Sequence, residues 1–134
     1  MLFDIDDFKK VNDGYGHQVG DEVLRQLGQL ALAEVRAVDA AYRVGGEEFA
    51  VVLPHTEAAQ AAVLAERLRE RAAGLAVPLP DGGRVRFTIS LGVAQARLGD
   101  AAIKDLFAAA DDALYAAKRG GKNRTVRADH PAAA

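Results

Sequence analysis

Two short acidic segments, one of them followed by a lysine, contain the side chains best suited to chemistry. Asp4 ends an apolar run, where a carboxylate is costly unless it binds a cation or a hydrogen-bond donor. Glu47 and Glu48 follow a glycine pair, and glycine lets a ligand approach the backbone closely. If the two segments are neighbours, Asp4 and Glu47 can share one Mg²⁺, a cation that takes a few carboxylates together with phosphate oxygens. Lys9, near the start of a predicted helix, adds charge beside backbone amides that favour phosphate, so the segments predict a site for a metal-bound nucleotide.

Each feature also has an ordinary explanation, and other motifs fail on spacing. Acidic residues at turns are usually solvated, and a Gly-Gly pair most often only closes a hairpin. A calcium loop that begins at Asp4 would place Phe8 at its fifth position, where an oxygen ligand is needed. Gly16 and Gly20 are too far apart for a dinucleotide fingerprint, and no glycine precedes Gly121 at the P-loop distance. The combination of segments, and no single residue, favours a site.

Composition predicts one small domain with a cytoplasmic location. The chain has 134 residues, of which 50% are hydrophobic, and no cysteine, which excludes a disulfide framework and a thiolate zinc site. It has neither a secretion signal at its start nor an apolar run long enough for membrane insertion. The formal charge of −2 argues against a nucleic-acid partner, which would require a basic face.

The hydrophobic pattern predicts an α+β fold with an antiparallel-containing central sheet flanked by helices. Strands are predicted over residues 2–5, 38–44, 48–53, 85–95 and 125–127, and helices over residues 8–13, from after Gly20 to about Val35, from Thr56 to about Ala73, and over residues 103–119. Gly14, Gly16 and Gly20 are assigned to a loop, Thr56 to a helix N-cap, and residues 78–83 to another loop. The pair Gly45-Gly46 is predicted to close a hairpin between two strands.

Three segments resemble the GGDEF family. Residues 45–49, Gly-Gly-Glu-Glu-Phe, are similar to the family signature, in which Glu47 occupies the position that accepts Asp or Glu. Residues 4–9, with Asn12-Asp13, Gly16-His17 and Gly20-Asp21, resemble its second strong motif. Residues 118–124 resemble its C-terminal phosphate-binding segment. The match is in order and covers nearly the whole chain, so the domain is expected over residues 1–127 and a disordered tail over 128–134.

This resemblance implies a fold related to class III nucleotidyl cyclases and polymerase palm domains, and a diguanylate cyclase activity. Such an enzyme condenses two GTP into cyclic di-GMP and releases two pyrophosphates, and each domain binds one GTP, so a homodimer is expected. Asp4, the Ile5 carbonyl and Glu47 would hold Mg²⁺, or Mn²⁺, with Glu48 close by. Glu47 would also help to deprotonate the attacking 3′-hydroxyl. The resemblance assigns the substrate to Asn12 and Asp21 at the guanine edge, to Lys9, Lys118 and Lys122 at the phosphates, and to Phe8 and His17.

The segment that begins at Arg36 resembles the family's inhibitory product site. Arg36 and Asp39 fit its RxxD pattern nine residues before the signature, and Arg67 could complete it. Arginine suits bidentate contacts with guanine or phosphate. The resemblance therefore implies feedback inhibition by cyclic di-GMP.

Family domains usually carry several tens of residues before the first metal aspartate and a sensory region further upstream. This chain has neither, so it is expected to be less stable and less active alone than a longer one. Three alternatives stay open at this point: a catalytically impaired domain that binds GTP or cyclic di-GMP without turnover, a cyclase with a mononucleotide product, and a structural partner domain.

Overall fold

The computed structural model of the chain describes residues 1–96 and 103–128. Its helices are α1 (Phe8–Tyr15), α2 (His17–Glu34), α3 (Ala58–Ala73) and α4 (Ile103–Arg119). Its strands are β1 (Leu2–Ile5), β2 (Ala40–Gly45), β3 (Glu48–Val52), β4 (Val77–Pro78), β5 (Arg84–Val85), β6 (Ile89–Val93) and β7 (Thr125–Arg127). Among the described residues, no helix has the length and apolar character needed to cross a bilayer.

β1 is the central strand of a five-stranded sheet with the order β2-β3-β1-β6-β7. The pairs of β1 with β3 and β6 are antiparallel, and only the pair of β6 with β7 is parallel. Asp4 lies opposite Glu48 on β3 and opposite Ser90 on β6. The register therefore brings the end of β1 beside the hairpin that carries the glycine pair, which is the condition under which Asp4 and Glu47 could share one cation.

Helices cover both faces of this sheet. Phe3 and Ile5 point to one face, where they share a core with the apolar sides of α2 and α3. Leu2 and Ala50 point to the other face and pack against α4. Gly92 on β6 permits this second contact, because a Cβ there would lie 2.2 Å from the Ala110 carbonyl oxygen. The predicted α+β fold, an antiparallel-containing sheet flanked by helices, is confirmed.

Several predicted boundaries were wrong for local reasons. α2 begins at His17, so Gly20 lies inside the helix and not in a loop; Gly16, with a φ of +92°, separates α1 from α2. The N-cap of α3 is Glu57, which forms a capping box with Gln60, while the Thr56 hydroxyl donates to the Pro54 carbonyl.

The predicted strand over residues 85–95 is broken. β1 provides partners only as far as Ile5, which pairs with Ile89, so the residues before β6 cannot extend the main sheet. Instead, β5 pairs with β4 in a separate hairpin, whose turn is stabilised by the Gly83 N–H donating to Asp81 at 2.8 Å.

The C-terminal predictions fall partly outside the described residues. α4 has the predicted bounds, and β7 is present as an edge strand. Of the predicted tail, residues 129–134 lie outside the described ranges, and the Ala128 N–H donates to the Val93 carbonyl at 2.8 Å.

Candidate active site

An acidic cluster lies where β1 meets the β2–β3 hairpin, on the face of the sheet that α4 covers. Asp4 and Glu48 are paired across the two strands, and Glu47 lies in the hairpin turn. Burial raises the pKa of Asp4, and the charges of Glu47 and Asp6 raise it further, against the effect of Lys118. Burial also raises the pKa of Glu48, together with the nearby charges of α4 Asp111, Asp4 and Glu47. The cluster therefore concentrates negative charge that a bound cation would neutralise.

Two buried carboxylate oxygens mark the centre of this cluster. Glu48 Oε1 is buried and has no hydrogen-bond partner among the residues that the structure describes. Asp4 Oδ1 is also buried, and the Lys118 ammonium forms an ion pair with it. A buried carboxylate oxygen without a donor is costly, and a bound cation removes that cost.

The donor set fits a hard divalent cation that shares its coordination with a substrate. Within residues 1–96 and 103–128, no group of three or more His, Cys, Asp or Glu side chains is placed to hold a metal ion by itself. The ligands predicted from the sequence, Asp4, Glu47 and the Ile5 carbonyl, would fill only part of an octahedral shell. Mg²⁺ is usually held in this way, by one or two carboxylates plus phosphate oxygens and water.

The two predicted phosphate lysines are positioned by the end of α4. Lys118 lies in the last turn of the helix, and a Schellman motif then ends it: the Lys122 N–H donates to the Ala117 carbonyl at 3.0 Å. In this arrangement Lys122 Nζ donates to Asp7 Oδ1 at 2.6 Å. The hydrogen bond lowers the pKa of Asp7 and raises that of Lys122. Both ammonium groups thus lie beside the carboxylates that begin the first motif.

α1 and α2 carry the residues predicted to bind the base. Gly20 permits a close contact between the two helices, because a Cβ there would lie 1.9 Å from Asn12 Oδ1 and 3.2 Å from Phe8 Cζ. Asn12 lies on α1, and Asp21, the residue after Gly20, lies on α2, where it is exposed. His17, the first residue of α2, is also exposed.

Lys9 is exposed on the first turn of α1 and forms no ion pair within the described part of the chain.

The three residues predicted for the product site line one cleft between α2, β3 and α3. The cleft has a volume of about 260 Å³ and includes Arg36, Asp39 and Arg67. Asp39, whose side chain is 1% exposed, accepts from the Arg36 N–H and from Arg36 Nη2, both at 2.8 Å. Arg36 Nη2 also donates to Thr56 Oγ1 at 2.7 Å, while Arg67 Nε donates to Glu34 at 2.8 Å. The hydrogen bonds from Arg36 lower the pKa of Asp39.

Comparison with known proteins identifies the family. Residues 1–124 match the family described as "Diguanylate cyclase, GGDEF domain". The chain belongs to the GGDEF family. As a GGDEF domain it has the palm-like fold of nucleotidyl cyclases, as the sequence predicted.

Relatives of this GGDEF domain include both curated sequences and solved structures. It is 44% identical over 128 residues to the diguanylate cyclase DgcM of Escherichia coli, covering 96% of this chain and 30% of that protein. It resembles the GGDEF domain of DgcB from Caulobacter crescentus in complex with c-di-GMP, with a TM-score of 0.89 and 34% identity over 96% of this chain and 76% of that one. The active GGEEF domain of a Vibrio cholerae diguanylate cyclase gives a TM-score of 0.84 and 38% identity over 96% and 81%. The chain spans about 30% of the length of the curated relatives it matches.

Sequence reasoning missed several residues that surround this GGDEF site. Asp6 is buried and accepts from Ser90, Thr88 and the Asn123 backbone, although the sequence indicated no separate role for it. The charge of Asp111 on α4 raises the pKa of Glu48, although the two residues are more than sixty positions apart in the chain. In the sequence, only the position of Asp111 on the predicted helix could have indicated this role. It lies one helical turn before Leu114 and two turns before Lys118.

Proposed function

We propose that this chain is the catalytic domain of a diguanylate cyclase, which condenses two GTP into cyclic di-GMP with release of two pyrophosphates. The observation that carries the proposal is the acidic cluster of Asp4, Glu47 and Glu48 with Lys118 against it. Membership of the GGDEF family, whose curated members include diguanylate cyclases, supports the same activity.

In this proposal Asp4, Glu47 and the Ile5 carbonyl would hold Mg²⁺ or Mn²⁺, and Glu48 lies close enough to add its charge. When bound, the cation would lower the pKa of the attacking hydroxyl and neutralise charge on the triphosphate. The buried Glu48 oxygen without a donor supports this use of the cluster.

The reaction is an in-line displacement at phosphorus. The 3′-oxygen of one GTP forms a bond to the α-phosphorus of the second GTP, and the bond from that phosphorus to the pyrophosphate oxygen breaks. Glu47 would accept the proton of the 3′-hydroxyl, because it lies in the hairpin turn next to the exposed Gly46, where a second nucleotide can approach. In a second displacement the 3′-oxygen of the second nucleotide forms a bond to the α-phosphorus of the first, and the bond from that phosphorus to pyrophosphate breaks, which closes the ring. Positioning and electrostatics supply most of the rate in such transfers.

The remaining residues would hold the nucleotide. Lys118 and Lys122 would exchange their present carboxylate partners, Asp4 and Asp7, for the β- and γ-phosphates, and Lys9 would join them. Asn12 and Asp21 would hydrogen-bond the guanine edge, with Phe8 and His17 beside the base. The packing of Asn12 against Gly20 supports this assignment, because it holds the amide between the two helices.

The test is a turnover assay with GTP and Mg²⁺ at high protein concentration, with products separated by chromatography. We expect cyclic di-GMP from the wild-type chain and a loss of at least about a hundredfold in Glu47→Ala, since one carboxylate provides both a ligand and a base. Glu70→Ala, which removes an exposed glutamate on α3, is the matched control and should retain activity.

The outcomes separate the alternatives. A folded wild-type chain that binds GTP or cyclic di-GMP but forms no product would contradict the proposal and favour a binding module. A cyclic mononucleotide would indicate the other cyclase chemistry. A chain that does not fold alone should gain activity when it is extended upstream, and a folded, extended chain without product would also contradict the proposal.

We also propose that the cleft of Arg36, Asp39 and Arg67 binds cyclic di-GMP and inhibits the enzyme. The cleft places two guanidinium groups around one opening, and arginine pairs well with guanine edges and phosphates. The c-di-GMP complex of the related DgcB domain supports the ligand. Arg36→Ala should raise the cyclic di-GMP concentration needed for half-inhibition by about tenfold, and unchanged inhibition would contradict the site.

Catalysis in this proposal needs a homodimer, because each domain binds a single GTP. We place the domain in the cytoplasm, and the absence of cysteine from the sequence agrees with that location. We also propose that a sensory region controls the domain.

A further inference from the structure

The C-terminal turn, residues 120–124, has an unusual backbone. Three consecutive residues have positive φ values: Gly121 at +125°, Lys122 at +65° and Asn123 at +48°. Glycine adopts this region freely, but lysine rarely does. Such conformations persist where the surroundings hold them, and they often occur at functional sites. The residue held in this way, Lys122, is one of the proposed phosphate lysines.

Asp6 holds the turn from the side of β1. It is 5% exposed, and its Oδ2 accepts from the Asn123 backbone N–H at 2.9 Å. Its other contacts fix the carboxylate itself: Ser90 Oγ donates to Oδ1 at 2.6 Å, and Thr88 Oγ1 donates to Oδ2 at 2.7 Å. Lys118 Nζ lies 3.9 Å from Oδ1. One buried carboxylate thus contacts the turn that carries Lys122 and lies within reach of Lys118.

Arg69 holds the turn from the side of α3. Its Nη1 donates to the Asn123 side-chain oxygen at 3.0 Å, and its Nε donates to Glu66 at 2.7 Å. Glu66 in turn accepts from Thr125 Oγ1 at 2.9 Å, immediately beyond the turn. Asn123 is therefore fixed through its backbone by β1 and through its side chain by α3.

We propose that Asp6 and Arg69 are positioning residues that act through Asn123 to hold Lys122 at the triphosphate. The proposal rests on the proposed function, because it takes Lys122 as a ligand of GTP. Neither residue contacts substrate in this assignment. Asp6 also places its charge near Lys118, so its effect on GTP is expected to exceed that of Arg69.

The test is a double-mutant cycle on Lys122, with the KM for GTP, kcat and thermal stability measured for each variant. Asp6→Asn should raise the KM by about tenfold, the lower end of the loss found when the partner of a ligand residue is removed. Arg69→Met should raise it by about threefold, as expected for one hydrogen bond. In a Lys122→Gln background the effect of Arg69→Met should disappear, while that of Asp6→Asn should fall to about threefold, the part that acts through Lys118. Val77→Ala, which removes core contacts in the separate β4–β5 hairpin and no hydrogen bond to Asp6 or the turn, should lower stability and change the KM by less than about twofold.

A purely structural role predicts a different pattern. If Asp6→Asn and Arg69→Met raise the KM equally in the wild-type and Lys122→Gln backgrounds, the positioning role is overturned while the cyclase activity stands. A folded wild-type chain that forms no cyclic di-GMP contradicts the proposed function instead. In that case the same double-mutant cycle is measured on the dissociation constant for GTP, by calorimetric titration. If Asp6→Asn does not fold, the cycle on Arg69→Met decides, and an unchanged KM in Arg69→Met overturns the proposal.

Discussion

Glu48 is an acid whose surroundings disfavour its charge. It is half-buried, its Oε1 is buried without a donor among the described residues, and the charges of Asp4, Glu47 and Asp111 act on it. Its pKa is raised in the folded chain, so the folded state holds the proton more tightly than the unfolded state does. Stability is therefore lost as the pH rises from the ordinary glutamate pKa through the raised one.

Glu48→Gln should stabilise the metal-free chain. We expect a gain of roughly 0.5–1 kcal/mol at pH 7, a modest value because the group keeps part of its solvent, and a smaller gain near pH 4. Urea unfolding at the two pH values measures it, with Glu70→Gln on the exposed side of α3 as the control. A loss of stability at pH 7, or an equal gain at both pH values, would contradict this explanation.

At the scale of residues, the motifs predicted which side chains gather but not how they are paired. The convergence of Asp4 with Glu47 and Glu48 followed from a strand end and a hairpin that are neighbours in the sheet. The ion pair of Lys118 with Asp4 was not predictable, since it depends on how α4 crosses the sheet. The role of Asp6 depends in the same way on a turn 117 residues away.

The contact between α1 and α2 is set by the missing side chain of Gly20. Gly20→Ala would push a methyl group against Asn12 Oδ1, which belongs to a movable side chain, so the fold should survive. The displaced amide should weaken GTP binding by about tenfold, because a polar group aligned with the base would be lost. The measurement is the KM for GTP together with the melting temperature.

Gly28→Ala, on the same helix, is the matched control for this change. The nearest atom to its new Cβ is 3.8 Å away, an ordinary contact, and alanine favours a helix over glycine by roughly 0.5–1 kcal/mol. It should raise stability and leave the KM unchanged. An unchanged KM in Gly20→Ala as well would show that Asn12 does not read the base.

The packing of α4 on the sheet depends on Gly92. A methyl group there would meet backbone atoms of α4, the Ala110 oxygen at 2.2 Å and the Leu114 nitrogen at 2.3 Å, and backbone cannot move aside as a side chain can. Gly92→Ala should therefore cost about 3 kcal/mol or more and displace Lys118. Denaturant unfolding and the GTP turnover rate measure the two effects, and a variant with wild-type stability would contradict the close packing.

At the scale of elements, the sequence predicted long periodic segments better than their junctions. α4 was predicted over its observed range because its apolar residues follow one face. The break between β5 and β6 escaped prediction, because the alternating residues continue through it and only the short length of β1 ends the pairing. Likewise, nothing local indicates that Gly20 is helical, since its conformation depends on the approach of α1.

For the molecule as a whole, the proposed reaction needs two copies. Because one domain offers one acidic cluster, the 3′-hydroxyl must come from a GTP held by a second domain. The specific activity should therefore rise with protein concentration below the dissociation constant of the dimer. Initial rates over a dilution series, with sedimentation to record the oligomeric state, check this. A constant specific activity across a range in which the chain is monomeric would contradict a dimeric mechanism.

The ion pair of Asp4 with Lys118 and the hydrogen bond of Asp6 with Asn123 join the two ends of the described chain. Contacts so distant in sequence form late, because a long loop must close before they are gained. A nascent chain that has emerged only as far as β3 already contains Asp4, Glu47 and Glu48 but lacks Lys118 on α4 and Lys122 beyond it. In the proposed mechanism, the domain would therefore complete its phosphate site only when its last helix has docked.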